Sequence, residues 1–391
     1  MRIYLDNGAT TKVADEVVKA MRSYLDINYG NAASLHMLGR EAKEAIEHAR
    51  KIIAQKINAS PQEIIFTSGG TESNNFALKG VAFANKAKGN HIIISKIEHD
   101  CVLKASEWLQ KQGFDVTYLD VDKYGLVNPK SLMRSIRKDT ILVSIMHANN
   151  EIGSILPIED YGTICREKGV YFHTDACQSF TKSEIDVKKM NLDLVTLNAH
   201  KIHGPKGVGA LYIHKGIRLA PLLHGGGHEY GFRSGTSNVP GIVGFGECVK
   251  THKPEDIKKM TELRAYLIKG LLRIPHTQLN GHPGRRLCNN ANISFNFVEG
   301  ESLLMHLDMN GIAVSTGSAC SSSTLEPSHV LLAIGLKHEI AHGTIRFTLS
   351  RYTTKEEIDY TIKKVKEGVV KLRQMSPLKP GLKYTKSKQQ N

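Results

Sequence analysis

The sequence predicts an α/β fold: a mostly parallel sheet with helices on both faces, joined to a smaller second domain. The first observation is that short β-type runs alternate with amphipathic helical segments through the first two thirds of the chain. The second is that polar residues cluster where the predicted strands end. The predicted strands are 63–66, 91–95, 116–119, 141–146, 170–174, 194–197 and 208–213. The predicted helices among them are 15–25, 39–57, 99–112, 129–136, 161–168 and 240–251.

A third observation places the second domain. The long helical pattern 254–272 leads away from the alternating region. Beyond it we expect strands at 292–297 and 344–349, and helices at 302–309, 328–333 and 355–372. The predicted division is a large domain 14–255, a smaller α+β domain from 1–13 and 256–378, and a basic, disordered tail 379–391.

Composition limits the class of protein. A chain of 391 residues exceeds one simple core, and its 41% hydrophobic and 23% charged residues are ordinary for a globular protein. No apolar run is long enough to cross a bilayer, and the amino terminus has no signal-peptide core, so we expect no membrane partner. Six cysteines without CxxC pairs or zinc spacing indicate free thiols in a reducing cytoplasm and no intrinsic metal site.

The charge of the chain leaves two interpretations. A net charge of +14 suits a protein that binds nucleic acid or an acidic partner. Most basic residues are spread along predicted helices, which favours solvated faces and no direct contact with nucleic acid. Nucleic-acid binding on this scaffold stays open as the alternative from another functional class.

The stretch between the strands 194–197 and 208–213 carries the main chemical signal. Lys201 lies there beside Asn198 and His200, where a desolvated lysine amine can form a Schiff base with a carbonyl cofactor. Gly204, Gly207 and Gly209 would let the backbone pass close to a bulky ligand. A solvated surface lysine is the alternative.

Two further strand ends offer cofactor contacts. The strand 63–66 runs into Gly69-Gly70-Thr71, a turn that opens a helix and suits a monophosphate, although such turns also simply cap helices. Asp175 follows the strand 170–174, where a carboxylate could hold a protonated pyridine nitrogen or merely cap a helix. Because ligands bind outside the carboxyl ends of parallel strands, we expect these groups to converge with His99 and the residues 149–151.

Several motifs resemble one family. The segments 67–73, 147–153, 198–207 and 225–236 are similar to those of NifS/IscS-type cysteine desulfurases, which belong to the class-V aminotransferases. The stretch 315–321 with Leu325-Glu326-Pro327-Ser328-His329 resembles the family's mobile cysteine loop, in the long form of the NifS/IscS group. The resemblance runs from about residue 3 to residue 378. It implies the pyridoxal 5′-phosphate (PLP)-dependent transferase fold of type I, with a mostly parallel sheet of the seven-stranded type.

The resemblance also implies residue roles around PLP. Lys201 would bind the cofactor covalently and then move the substrate's Cα proton. Asp175 would pair with the pyridine nitrogen, and His99 would stack on the ring and shuttle a proton. The other implied cofactor contacts are Gly70, Thr71, Asn198, Ala199 and His200 around the phosphate, Gln178 and Asn150 near the ring hydroxyl, and Thr236 at the phosphate of the other subunit.

The implied substrate is L-cysteine, and the implied nucleophile is Cys320. Arg346 would clamp the substrate carboxylate, with help from Asn31 and Asn150. The Cys320 thiolate would take the substrate sulfur as a persulfide and leave alanine. The other cysteines look ordinary, and we expect Cys101, Cys165 and Cys248 to be core residues on apolar helical faces.

The implied partners are a second copy of the chain and sulfur acceptors. The resemblance implies a homodimer that feeds an iron–sulfur scaffold protein and, as a further acceptor, tRNA-thiolation proteins. Cys320 could transiently ligate a cluster shared with the scaffold. The family alternatives are a selenocysteine lyase, which motifs do not exclude, and another class-V aminotransferase, which needs no Cys320. The chain departs from the family at Ala32-Ala33, at Asn198 and in its basic tail.

Overall fold

The computed structural model describes residues 2–316 and 327–375 of the chain. The predicted nucleophile Cys320, most of the predicted cysteine loop and the predicted tail 379–391 lie outside these described residues.

The described chain alternates strands and helices in its first half, as predicted. Its strands are β1 Ile3–Tyr4, β2 Ile64–Thr67, β3 His91–Ser95, β4 Asp115–Leu119, β5 Thr140–Ser144, β6 Tyr171–Asp175, β7 Leu194–Asn198, β8 Gly209–Ile213, β9 Thr277–Leu279, β10 Asn290–Phe295, β11 Ile312–Ala313, β12 Ser315–Thr316 and β13 Thr344–Thr348. Its helices are α1 Asp15–Asp26, α2 Met37–Lys56, α3 Gly70–Asn85, α4 Asp100–Lys111, α5 Pro129–Ser135, α6 Ile158–Lys168, α7 Val239–Lys250, α8 Pro254–Leu271, α9 Gly300–Met309, α10 His329–Ala333, α11 His338–His342 and α12 Lys355–Met375.

The central sheet has seven strands in the order β2-β8-β7-β6-β5-β3-β4. Strands β3 to β7 pair in parallel, whereas β8 is antiparallel to both β2 and β7. The sheet is therefore mostly parallel, and the predicted α/β fold class is confirmed. All five parallel strands end at the same edge of the sheet, where the predicted site residues follow them.

Helices cover both faces of this sheet because successive strand side chains point to opposite sides. On β3, Ile93 belongs to the core under α2, α6 and α7, whereas Ile92 and Ile94 belong to the core under α3 and α4. All three side chains are fully buried. This two-sided burial explains why β3 is an unbroken apolar run in the sequence.

A second core lies around a smaller antiparallel sheet of order β12-β13-β10-β9. Helices α8, α9 and α12 contribute its apolar side chains, among them Leu267, Leu303 and Val365. The amino-terminal strand β1 joins this core by pairing in parallel with β11, with Ile3 opposite Ile312. The first residues of the chain therefore pack with residues some 300 positions later, in line with the predicted composition of the smaller domain.

The predictions missed the shortest elements. Strands β9, β11 and β12 have two or three residues, too few for an alternating pattern to repeat, and the five-residue helix α11 was also missed. Strand β5 ends at Ser144, two residues earlier than predicted, and the backbone N–H of Met146 instead donates to the Glu98 carboxylate at 2.9 Å. Within the described residues, no helix is long and apolar enough to cross a membrane.

A buried ion pair fastens the glycine-rich loop 225–238 to the body of the protein. The Arg50 guanidinium on α2 donates to both carboxylate oxygens of Glu229, at 2.7 and 2.9 Å. The backbone N–H of Phe66 on β2 donates to the same carboxylate at 2.8 Å. The Arg50 and Glu229 side chains are only 3% and 8% exposed. Loss of Glu229 would therefore leave the buried Arg50 with only the half-exposed Glu47, whose carboxylate lies 3.1 Å from the Arg50 Nε.

We expect Glu229→Gln to lower the free energy of unfolding by about 3 kcal/mol, because the buried Arg50 would lose its bidentate carboxylate and keep only the half-exposed Glu47. Urea unfolding measures the change. The matched control is Glu107→Gln, which breaks the exposed Lys104–Glu107 pair and should cost less than about 0.5 kcal/mol. Equal losses in the two variants would contradict this account of the loop.

Candidate active site

Lys201 lies in the turn between β7 and β8, and the amino-terminal arm holds this turn in place. The backbone N–H and the hydroxyl of Thr11 both donate to the carbonyl of His200, at 2.9 and 2.8 Å. The His203 N–H donates in turn to the Thr11 hydroxyl at 2.9 Å. The Lys201 amine has no hydrogen bond or ion pair with any described residue, and it opens into a cavity of about 300 Å³. The turn thus presents an unengaged amine to a ligand-sized space.

The glycines of this turn serve protein packing rather than the close approach of a ligand. A Cβ on Gly204 would lie 2.7 Å from the Cys248 sulfur, and one on Gly209 would lie 2.7 Å from the Cα of Gly69. Both glycines therefore let one backbone segment pass against another. The expected contact with a bulky ligand was wrong for these two positions.

The cavity brings most of the predicted site residues together at the carboxyl edge of the sheet. Those that line it are Gly70, Thr71, His99, Asn150, Asp175, Gln178, Asn198, His200, Lys201 and Arg346. They follow separate strands of the two sheets, which explains why they are dispersed over nearly 280 positions of sequence.

Asp175 is a buried carboxylate at the end of β6. It accepts hydrogen bonds from the backbone N–H of Cys177 at 2.8 Å and from the side-chain amide of Asn74 at 2.6 Å. Burial alone would raise its pKa, but these two hydrogen bonds and the nearby His99 and Lys201 hold the pKa below the ordinary value of 3.8. The carboxylate is therefore ionised at neutral pH and suited to hold a cationic ring nitrogen.

The amino end of α3 forms another part of the cavity lining. Gly70 begins this helix, and a Cβ there would lie 2.6 Å from the Cys177 sulfur, so the position requires glycine. Near it, the side-chain oxygen of Asn198 is buried and has no hydrogen-bond partner among the described residues. Burial first, and then the nearby lysines, lower the pKa of His200 to about 4, so this ring is neutral. The N–H groups at the start of α3 and the side-chain amide nitrogen of Asn198, which lies 3.7 Å from the Cβ position of Gly70, can donate to a phosphate.

Arg346 on β13 joins the smaller sheet to the cavity. Its guanidinium donates to the backbone carbonyl of Asn150 at 3.1 Å and to the Asp6 carboxylate at 3.0 Å. Its Nε is buried without a partner among the described residues. Asp6 also accepts from the Ser315 hydroxyl at 2.8 Å, which places a carboxylate beside the predicted carboxylate clamp. No motif in the sequence pointed to Asp6.

Two buried glutamates accept hydrogen bonds from the first residues of the segment that resumes at residue 327. The Ser328 hydroxyl donates to the Glu151 carboxylate, and the His329 Nε2 donates to the backbone carbonyl of Glu98 at 3.0 Å. Burial raises the pKa of Glu151 to about 7 and that of Glu98 to about 8. Glu98 directly precedes His99, and the sequence reasoning missed it because only its burial is unusual.

Three predicted site residues lie outside the main cavity, and one cysteine that was expected in the core lines this cavity. Thr236 lines a separate cavity of about 90 Å³ with residues of its own loop. Ala199 belongs to the core, and the Asn31 side chain caps the backbone N–H of Ala33. The expectation of core positions is confirmed for Cys165 and Cys248 but was wrong for Cys101, which is half-buried and lines the main cavity.

Comparison with known proteins identifies the family. Residues 3–361 match the model of the family described as aminotransferase class V. The chain belongs to this family, among its NifS/IscS-type cysteine desulfurases. It is 55% identical to a protein named cysteine desulfurase IscS from Methanosarcina thermophila, over 97% of this chain and 94% of that protein.

Solved structures of this class-V aminotransferase group have the same fold. A structure titled NifS-like protein superposes with a TM-score of 0.89 at 41% identity, covering 94% of this chain and 99% of that one. A structure titled SspA in complex with cysteine gives a TM-score of 0.82 at 39% identity, covering 90% of this chain and all of that one. The predicted family and the type I PLP fold are therefore confirmed.

Pyridoxal 5′-phosphate is the cofactor of the class-V aminotransferases, and the residues of the cavity fit it. The unengaged amine of Lys201 suits attachment to an aldehyde, and the ionised Asp175 suits a protonated pyridine nitrogen. The side-chain amide nitrogen of Asn198 and the glycine at the start of α3 mark a polar end of the cavity, where N–H donors would bind the phosphate.

We expect the Glu98→Gln variant of this desulfurase-family chain to gain stability relative to wild type as the pH rises from about 5 to 8. Burial raises the pKa of Glu98 from 4.5 to about 8, so the folded state holds a proton that the unfolded state releases. Within that window the wild type loses up to roughly 1.4 kcal/mol per pH unit from this group. Urea unfolding at several pH values measures the difference.

The exposed Glu107 provides the control for this titration. Glu107→Gln should differ from wild type by a constant amount across the same window, because no buried proton is involved. A constant difference for Glu98→Gln as well would show that Glu98 is ionised in the folded protein.

Proposed function

We propose that the chain is a PLP-dependent cysteine desulfurase that converts L-cysteine to L-alanine and carries the sulfur as a persulfide on Cys320. The observation that carries the proposal is one cavity in which an unengaged Lys201 amine, the ionised Asp175 and the Arg346 guanidinium meet. The relatives support the substrate: one is named cysteine desulfurase IscS, and one solved relative is titled as a complex with cysteine.

The residues of the chain divide the work around the cofactor. When bound, the PLP ring supplies an electron sink for the carbon that loses its proton. Lys201 would hold the cofactor through its aldehyde, and its amine, when free, would take the Cα proton of the substrate. Asp175 keeps the ring nitrogen positively charged, and Gly70, Asn198 and His200 bind the phosphate. Arg346 binds the substrate carboxylate and so orients the amino acid for proton removal.

Cys320 completes the reaction. Its thiolate attacks the substrate sulfur, so that an S–S bond forms as the Cβ–S bond breaks, and the electron pair of that bond returns to carbon. Protonation of that carbon leads to alanine. Cys320 itself lies outside the described residues; before it in the chain Thr316 pairs with Ile345 of β13, and after it the Ser328 hydroxyl donates to Glu151.

The acceptors of the sulfur follow from the family. We propose an iron–sulfur scaffold protein as the main acceptor, with tRNA-thiolation proteins as a further one, in a cytoplasmic setting. Buried free thiols at Cys165, Cys177, Cys248 and Cys288 support a reducing compartment.

The homodimer is also part of the proposal. Thr236 lies in its own cavity, with Ser68 and Arg233, rather than at the phosphate end of this chain's main cavity. Large apolar side chains are exposed around the loop between α1 and α2, with Ile27 68%, Tyr29 69% and Leu35 91% exposed. Such a patch is typical of a surface that a second copy covers.

We expect size-exclusion chromatography with light scattering to give twice the 43.2 kDa chain mass. Replacing Ile27 and Leu35 by glutamate should shift the protein toward the monomer, because two charges would enter an apolar interface. The exposed Met309 on α9 offers a control position, and Met309→Glu should leave the mass unchanged. A wild-type monomer at micromolar concentration would contradict the dimer.

The desulfurase activity is tested by alanine release from L-cysteine under reducing conditions. We expect Cys320→Ser to lose about 100-fold or more in rate while it keeps the visible absorbance of bound cofactor. Lys201→Ala should lose both activity and covalent cofactor. Cys165→Ser, at a buried thiol far from the cavity, should stay near wild type.

Two outcomes would contradict this function. If Cys320→Ser makes alanine as fast as wild type, sulfur does not pass through Cys320. If the wild type binds cofactor but makes no alanine, selenocysteine cleavage and amino-group transfer become the activities to measure.

A further inference from the structure

Cys101 is a cavity residue that the proposed function leaves without a role. It lies in the first turn of α4, two positions after His99, whose side chain caps that helix. Its thiol lines the same cavity as Lys201 and Asp175.

The Cys101 thiol lies between two polar side chains. Its sulfur is 3.1 Å from the Nδ1 of His99 and 3.1 Å from the Nδ2 of Asn74. The same Asn74 nitrogen is 2.6 Å from the Asp175 carboxylate. These contacts form one continuous path from the buried carboxylate, through Asn74 and Cys101, to the imidazole of His99.

The direction of each hydrogen bond along this path follows from the carboxylate. Because an ionised carboxylate only accepts, the Asn74 atom facing Asp175 must be the amide nitrogen, which only donates. Asn74 therefore also donates to the sulfur of Cys101. With its lone pair so engaged, the thiol is free to donate its own proton to His99 Nδ1. The backbone N–H of Cys101 donates to that nitrogen too, at 3.2 Å.

A ring nitrogen that accepts from two donors carries no proton of its own. The neutral imidazole of His99 must then bear its hydrogen on Nε2. Burial, followed by the nearby Lys201, lowers the pKa of His99, which agrees with a neutral ring. Burial also raises the pKa of Cys101 to about 12, so the thiol remains a donor and does not become a thiolate.

We propose that Cys101 is a positioning residue that fixes His99 as the neutral Nε2–H tautomer, so that His99 presents a hydrogen-bond donor, and not a base, to the cavity. Protonating Nδ1 would break both hydrogen bonds that it accepts. The proton at the substrate carbon is then moved by Lys201, while His99 stacks and donates. This inference rests on the proposed function in one respect: the cavity must be the one that holds the cofactor and the substrate.

The tautomer can be measured directly in the cofactor-bound protein. Histidine labelled with ¹⁵N gives distinct NMR shifts for protonated and unprotonated ring nitrogens, and His99→Gln identifies the signals of His99. We expect unprotonated Nδ1 and protonated Nε2 at neutral pH. A protonated Nδ1 in the wild type would overturn the proposal without the need for any Cys101 variant.

The role of the thiol is measured by variants. Cys101→Ala removes one of the two donors to Nδ1, so we expect the pKa of His99 in the same NMR titration to rise by about 0.5–1 unit. Cys101→Ser keeps a donor and an acceptor and should restore most of the wild-type value. Cys165→Ala, at a buried cysteine in α6, should change nothing.

The charged groups around His99 are the same in every variant. They are Lys201, Asp175, Asp100 and His329, so the shift reports loss of the thiol. If Cys101→Ala titrates like wild type and like Cys165→Ala, Cys101 does not position His99. Alanine release from L-cysteine separates the two proposals: a shifted titration in a protein that makes no alanine supports the tautomer and contradicts the desulfurase.

Discussion

The buried negative charge of Asp175 is the constraint on which the rest of the site depends. A carboxylate removed from water stays ionised only where hydrogen bonds and positive charge replace its hydration. The N–H of Cys177 and the amide of Asn74 supply those hydrogen bonds, and Lys201 lies close enough to supply charge. The position of Cys177 in turn leaves no room for a Cβ at residue 70, where α3 begins. The ring-binding and phosphate-binding ends of the cavity are therefore coupled through one carboxylate.

A second constraint lies where the two sheets meet. Arg346 contacts the Asn150 carbonyl of the large sheet and the Asp6 carboxylate of the amino-terminal arm, and Glu151 accepts from Ser328. The side-chain amide of Asn292 extends this junction, because it donates to the backbone carbonyl of Glu151 at 3.2 Å. The proposed substrate clamp is thus assembled from segments that lie far apart in the chain. Its geometry depends on how the two cores pack, and not on any one local motif.

The pattern of the sequence predicted the large elements well because they bury wide apolar faces. Strand β3 was predicted with its observed bounds, since an isoleucine run buried on both faces stands out from its polar flanks. The glycine turn before α3 and the lysine turn after β7 were predicted because their chemistry is local. Strands of two residues, such as β12, carry no period and were missed. The role of Asp6 was missed for another reason, because its partner lies 340 positions away.

The sequence by itself determined the alternation of strands and helices and the family, and it pointed to the lysine and carboxylate that we propose for PLP chemistry. These properties follow from local periodicity and from the residue types at strand ends. Both features can be recognised in the sequence alone. Only the tertiary structure decided that Cys101 lies in the cavity rather than in the core. On a helical projection its face looks apolar, but Asn74 of α3 donates to its sulfur and also to Asp175 at the end of β6. Hydrogen bonds between distant segments form only where the whole fold brings those segments together. The spacing of residues in the sequence does not predict this.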